Sequence, residues 1–236
     1  PTSSGLVQDV AAVGRICRER DVTYLVDACQ SVGQMEVDPV AIGADFLSAT
    51  ARKFLRGPRG VGFLYVSDRA LDLGLEPLFP DLHGADWVAE DLYQPVPDAR
   101  RFENWEFPYA LVLGLGAAAR KASEVGTAWA GARARRLAAA VRDGLRALDG
   151  VDVLDRGGRL CAIVTARVEG HEAGALVAGL RERGINTSSL TRASAVLDFD
   201  ETDVETALRV SPHYYNTEDE VAAFLDALGD IVREGL

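Results

Sequence analysis

Lys53 stands out in the stretch SATARKFLRGPRGVGFLYV, Ser48 to Val66. The chain carries 25 Lys plus Arg, yet Lys53 and Lys121 are its only lysines; every other basic side chain is arginine. A lysine set among Arg52, Arg56 and Arg59 points to a property arginine lacks, an amine that can lose its proton and attack a carbonyl. Chance is the plain alternative, since Lys121 has no evident special role.

Asp27 ends the apolar run YLVD. A carboxylate at the C-terminal end of a buried strand stands where open α/β sheets bind ligands; a strand-ending Asp that caps the following turn is the competing reading. Lys53 follows the next strand. If the two strands run parallel, Asp27 and Lys53 emerge from the same edge of the sheet. These are the two groups a pyridoxal phosphate (PLP) site needs. The lysine forms the Schiff base and the carboxylate keeps the pyridine nitrogen protonated, so that the ring can accept electrons. Arg209 lies in LRVSPHYYNT, just before the last helix. Arginine suits bidentate carboxylate recognition, and a surface ion pair is the alternative there. RGPRGVG, Arg56 to Gly62, is neither GxGxxG nor a Walker motif and leads into a strand, so its glycines read as a tight turn.

The chain that must position these groups has 236 residues, enough for one large domain or two smaller ones. Its net charge of −11 opposes nucleic-acid backbones and anionic membranes, so neither is an expected partner. No apolar run approaches the roughly 20 residues that span a bilayer. Cys17, Cys29 and Cys161 form no CxxC pair; Cys17 and Cys161 sit in apolar-periodic segments and read as buried reduced thiols, which fits a cytoplasmic setting. His83, His171 and His213 lack metal-ligand spacing, and no metal site is expected.

The spacing of apolar residues predicts a helix from Leu6 to Arg20, with Ser3 or Ser4 as its N-cap. VTYLVDA reads as a strand buried on both faces. A helical turn then leads to a strand near Asp45 to Ala49, and GVGFLYV forms a third. Together these predict a parallel or mixed sheet covered by helices. Leu78 to Pro108, rich in proline and aromatics, reads as a long structured loop. Helices follow from Tyr109 to about Val125 and on to Leu148. VDVLD, LCAIVTARV and Thr206 to Ser211 read as strands, with a helix from His171 to Arg183 ending at Gly184. Thr217-Glu218-Asp219-Glu220 is a capping box that opens the last helix. The start on PTSSG, just before a helix, leads us to expect an upstream portion containing a preceding strand.

VDACQSVGQ, then GADFLSATARKFLRGPRGVGFLYV, then RVSPHYYNTEDEV resemble, in that order, the motifs of the class V aminotransferase family. This PLP-dependent group also includes cysteine desulfurases. The resemblance implies an α/β protein of PLP-dependent transferase fold type I. Residues 1–125 would be the C-terminal portion of a large PLP-binding domain with a mixed, mostly parallel sheet and an interface loop region. Residues 126–236 would be a small C-terminal α/β domain. It further implies that Lys53 carries the Schiff base and then shuttles the α-proton. Asp27 would pair with the pyridine nitrogen, Gln30 with the ring hydroxyl, and Thr50 and Arg52 with the phosphate. Arg209 would hold the α-carboxylate of a small-molecule amino-acid substrate, and the protein would be a homodimer with contacts in Leu78 to Pro108. Thr2 sits near a position that is often a substrate-contacting Asn; no role is assigned to it. Thr187 to Thr206 contains no cysteine, which argues against desulfurase chemistry on a protein thiol. Aminotransferase activity is the first expectation, with C–S lyase or epimerase chemistry, or a non-catalytic dimerisation module, as alternatives.

Overall fold

The computed structural model describes residues 1–234. They form two compact units, Asp9–Gly126 and a second made of Pro1–Gln8 together with the chain from Thr127 onward.

In the first unit, α1 (Val10–Glu19) starts at Asp9, whose carboxylate accepts from Ala12 N–H at 3.0 Å. The expected serine cap is therefore displaced by several residues. The reason is that the preceding residues run extended, with Val7 N–H donating to Arg159 O and a bridge joining Leu6 to Leu160. β1 (Leu25–Asp27) and β2 (Phe46–Thr50) are parallel, and β3 (Gly62–Val66) returns antiparallel to β2, giving a mixed sheet. The crossover between β1 and β2 holds α2 (Pro39–Ile42), capped by Asp38 and ended by Gly43 in the left-handed region. β1 is buried on one face, not two: Val26 lies inside and Leu25 is 58% exposed. The core here is Val26, Ala28, Ala44 and Leu47, with Val10, Tyr24 and Ile42 packed against it.

Asp45, fully buried at the start of β2, pins the end of this sheet remote from Asp27. Its carboxylate accepts from Tyr24 N–H at 2.9 Å, Arg69 Nη1 at 2.8 Å and Ser67 Oγ. Burial raises its ionisation, but these donors and the Arg69 charge outweigh that and hold it below the ordinary range. α3 (Asp68–Asp72) follows β3. The expected loop contains a hairpin, β4 (Ala85–Ala89) with β5 (Leu92–Pro95), in which Trp87 lies opposite Tyr93. Period-2 pairing of aromatic and apolar residues outweighs the flanking prolines there. α4 (Tyr109–Val125) closes the unit.

The second unit has an antiparallel four-stranded sheet, ordered β6 (Val151–Val153), β7 (Val164–Val168), β9 (Thr206–Val210), β8 (Ser188–Thr191). Helices α5 (Thr127–Arg146) and α6 (Ala173–Glu182) pack on this sheet, and α8 (Glu218–Glu234) packs on both helices. On α5 the stripe Leu137, Val141 and Leu145 is buried, as the 3.6-residue period requires. The capping box is reciprocal: Glu220 N–H donates to Thr217 Oγ1 at 3.2 Å, and Thr217 N–H to Glu220 Oε2 at 2.8 Å. Short β8 and α7 (Val196–Thr202) are elements that periodicity did not reveal. Phe199 from α7 fills a small core with Leu190, Val204 and Ala207.

Candidate active site

The parallel register of β1 and β2 sets Asp27 beside Ser48, and Ala28 N–H donates to Ser48 O at 2.8 Å. Both strands thus end at the same edge. β2 continues through Thr50 into a tight turn where Arg56 N–H donates to Lys53 O at 2.8 Å and Gly57 N–H to Ala51 O at 2.7 Å. Ala51, Phe54 and Leu55 are buried and anchor this turn, which leaves Arg52 exposed and Lys53 half-buried. The turn after β1 runs against it. Gly33 has φ +94°, and a Cβ there would meet Leu55 N and the Phe54 carbonyl carbon, each at 2.4 Å. Only glycine permits that approach. Gln30 lies in the same turn and its carbonyl accepts from Gln34 Nε2.

Asp27 is held ionised. The Cys29 side chain donates to its carboxylate, Cys29 N–H donates to Oδ1 at 2.8 Å, and the charge of Lys53 adds to both, so its ionisation falls below the ordinary range despite partial burial. Cys29 responds in the opposite direction. Burial first, then the Asp27 carboxylate, raise its thiol and keep it protonated. Sequence reading missed this neighbour, although its position between Asp27 and Gln30 in DACQ was a signal.

One prediction arises here. Cys29→Ala removes one donor and should move the Asp27 titration upward, toward ordinary aspartate, whereas Cys29→Ser should retain the wild-type value. Carbon-13 NMR of the Asp27 carboxyl across acidic pH reads the shift. Because Asp27 is depressed in the folded chain, its contribution to stability is present above the unfolded value and lost as pH falls through the folded one. The alanine variant should therefore show a shallower acid loss. An unchanged Asp27 titration in that variant would remove Cys29 from the account.

The structure brings Asp27, Gln30, Thr50, Arg52 and Lys53 to neighbouring turns of one unit. Lys53 offers an amine, Asp27 an ionised carboxylate, and Thr50 and Arg52 a hydroxyl and a cation; among the described residues no carboxylate forms an ion pair with Arg52 or Lys53. This donor set fits an aldehyde-bearing, phosphorylated pyridine.

Arg209 belongs to the other unit, on β9 between Thr165 of β7 and Ser188 of β8. Its Nε donates to Ser211 Oγ at 3.0 Å and its Nη1 to Thr2 Oγ1 at 3.0 Å. Burial pulls its ionisation down, against a smaller opposing effect of Cys161. Both partners are neutral hydroxyls, and among the described residues no carboxylate pairs with this guanidinium. It is a half-buried cation suited to an incoming anion, not a surface ion pair.

Comparison with known proteins places these turns in context. A family model described as aminotransferase class-V matches residues 1–224. A probable cysteine desulfurase of Methanothermobacter thermautotrophicus is 31% identical, over 98% of this chain and 58% of its own. A probable hercynylcysteine sulfoxide lyase of Mycobacterium tuberculosis is 31% identical, over 95% of this chain and 53% of its own. Among solved structures, the apo cysteine desulfurase of Thermococcus onnurineus superposes with a TM-score of 0.90 at 27% identity, covering 98% of this chain and 57% of that one. The chain therefore spans about half the length of the curated relatives it matches.

Proposed function

The chain belongs to the class V aminotransferase family, and on that footing we propose that it works with pyridoxal phosphate as a C–S lyase on a sulfur-containing amino acid. When bound, the cofactor supplies an electron-withdrawing ring that acidifies the α-hydrogen of an amino acid. Lys53 Nζ would be the amine that holds the cofactor aldehyde, and the same nitrogen would serve as the base for the α-proton and as the acid that returns it to the departing sulfur. Asp27 would hold the proton of the pyridine nitrogen, which its depressed ionisation favours. Gln30 would bind the ring hydroxyl, Thr50 and Arg52 the phosphate, and Arg209 the substrate carboxylate.

Transamination was the first expectation from sequence; the relatives support the alternative, since desulfurase and sulfoxide lyase names both denote cleavage of carbon–sulfur bonds. The observation that carries the lyase reading is the thiol inventory. Residues 187–206 fold as β8, a 3-10 turn, α7 and a connector with no cysteine among them. Cys29 is held protonated and Cys161 is buried with its thiol pushed up. Cys17, the third cysteine, is half-buried on α1 and lies outside that stretch; the lack of a cysteine in residues 187–206 supports release of the sulfur on a small molecule.

A homodimer in the cytoplasm completes the proposal. Its contact face would be the hairpin region, where Phe79 is 84% and Trp87 80% exposed, together with Leu78, Leu82 and Leu113.

The test is the product ratio. PLP-loaded chain given L-cysteine or L-cystine should release pyruvate, ammonia and a sulfur product in equal amounts. 3-Mercaptopyruvate would mean transamination and overturn the lyase reading; alanine would mean that the carbon–sulfur bond is cleaved by desulfuration and not by elimination.

A further inference from the structure

The first eight residues belong with the unit that begins at Thr127, although more than a hundred residues separate them in sequence. What holds them there is a buried ion pair. Arg142 of α5 and Asp155, with side chains 5% and 0% exposed, meet at 2.7 Å through Nε and Oδ2. Asp155 Oδ1 accepts from Gly5 N–H at 2.8 Å and from Thr165 Oγ1 at 2.8 Å, with Thr165 N–H at 3.3 Å. Arg142 Nη2 donates to the carbonyls of Cys161 at 2.9 Å and Ile163 at 2.6 Å. Cys161 N–H in turn donates to Gly5 O at 2.8 Å, so both backbone groups of Gly5 are engaged. Gly5 fits because it has no side chain: a Cβ there would lie 2.3 Å from Arg142 Nη2 and 2.5 Å from Ile163 O.

Three residues before Gly5, Thr2 Oγ1 accepts from Arg209 Nη1. A guanidinium has five N–H donors. Ser211 takes the one on Nε and Thr2 takes one on Nη1. Nη2 keeps both of its own, and among the described residues it has no partner. The side-on pair of Nε and Nη2 is thereby closed to a ligand, while one N–H of Nη1 and both of Nη2 remain for it.

We propose that Thr2 is a positioning residue for the carboxylate receptor, set in place by the Arg142–Asp155 pair through Gly5, and that it fixes the Arg209 plane so that a carboxylate docks end-on at Nη1 and Nη2. This rests on the reading of Arg209 as the carboxylate-binding group. The clamp works because so many groups share it. A buried pair bonded to this many partners cannot shift without orphaning several groups at once, so the segment that carries Thr2 is held at a fixed distance from β9.

The test uses the nitrogen-15-labelled chain and L-alanine as the carboxylate probe. The Nε–H resonance of Arg209 is identified by its loss in Arg209→Lys. Thr2→Val should speed exchange of that proton with water at least tenfold and weaken L-alanine binding about tenfold. Thr2→Ser should restore both, which loss of a structural contact alone would not predict. Gly5→Ala should mimic Thr2→Val by displacing the segment. If Thr2→Val leaves exchange and affinity within twofold of wild type, Thr2 does not position Arg209. If affinity falls while the Nε–H exchange is unchanged, Thr2 binds the ligand itself, and the positioning role is equally overturned. Unchanged L-alanine binding in Arg209→Lys would instead sink the receptor reading beneath the proposal.

Discussion

Lys53→Ala is expected to abolish covalent capture of pyridoxal phosphate. When the chain is incubated with the cofactor and reduced with borohydride, the pyridoxyl group becomes fixed to whichever amine holds it, and peptide mass mapping identifies that amine. The competition is small. Lys121 is the only other lysine; it lies on the exposed face of α4, paired with Glu124 at 3.3 Å. Label should appear at Lys53 in the wild type and vanish in the alanine variant. Lys53→Arg is the sharper control, because it retains the positive charge and removes only the capacity to deprotonate and bond to carbon. It should fail as completely as alanine. Turnover in either variant should fall by about 10³-fold or more, since the same nitrogen serves as attachment point and proton carrier. Label on Lys121, or none on Lys53, in the wild type would overturn the assignment of Lys53.

Breaking the Arg142–Asp155 pair should give the largest stability effect in the chain. Arg142→Met leaves a carboxylate with no exposure facing three neutral donors and no countercharge. Removing one partner of a buried pair costs about 3–5 kcal/mol. Asp155→Leu should cost at least as much, because the guanidinium, the Gly5 N–H and both donors of Thr165 lose their acceptor together. The check is urea denaturation, following the transition of the unit that contains α5 and β7. A shift of less than about 1 kcal/mol in Arg142→Met would mean that the pair is not the clamp described above. The two Discussion predictions separate cleanly: the Lys53 variants should leave the urea transition unchanged, and the Arg142 variant should lower it before any chemistry is asked of the protein.

Much of this architecture was legible in the sequence because it follows from local rules. The stripe on α5, the capping box before α8 and the left-handed Gly184 after α6 each depend on residues within a turn or two of one another. The order of the three motifs was enough to place the chain in its family. The short elements were less visible. β1 has three residues and β8 four, too few for a period to register, and the β4–β5 hairpin was masked by the prolines around it. The cap of α1 was misplaced for another reason: Ser3 and Ser4 have suitable side chains, but the residues after them, Gly5 to Val7, are committed to partners far along the chain.

The sequence by itself determined which chemical groups this protein has. One lysine among arginines, an aspartate at a strand end and an arginine in β9 are written in residue types, and no folding step can alter them. Only the tertiary structure decided how they are held. That the Thr2 hydroxyl accepts from Arg209, 207 residues away, and that residues 1–8 pack in the unit that begins at Thr127 depend on pairings between distant segments. The physical reason is that burial links residues without regard to their separation. Asp155 has no exposed surface and must find every donor inside the fold, and the N–H of Gly5, 150 residues away, is among the donors that satisfy it.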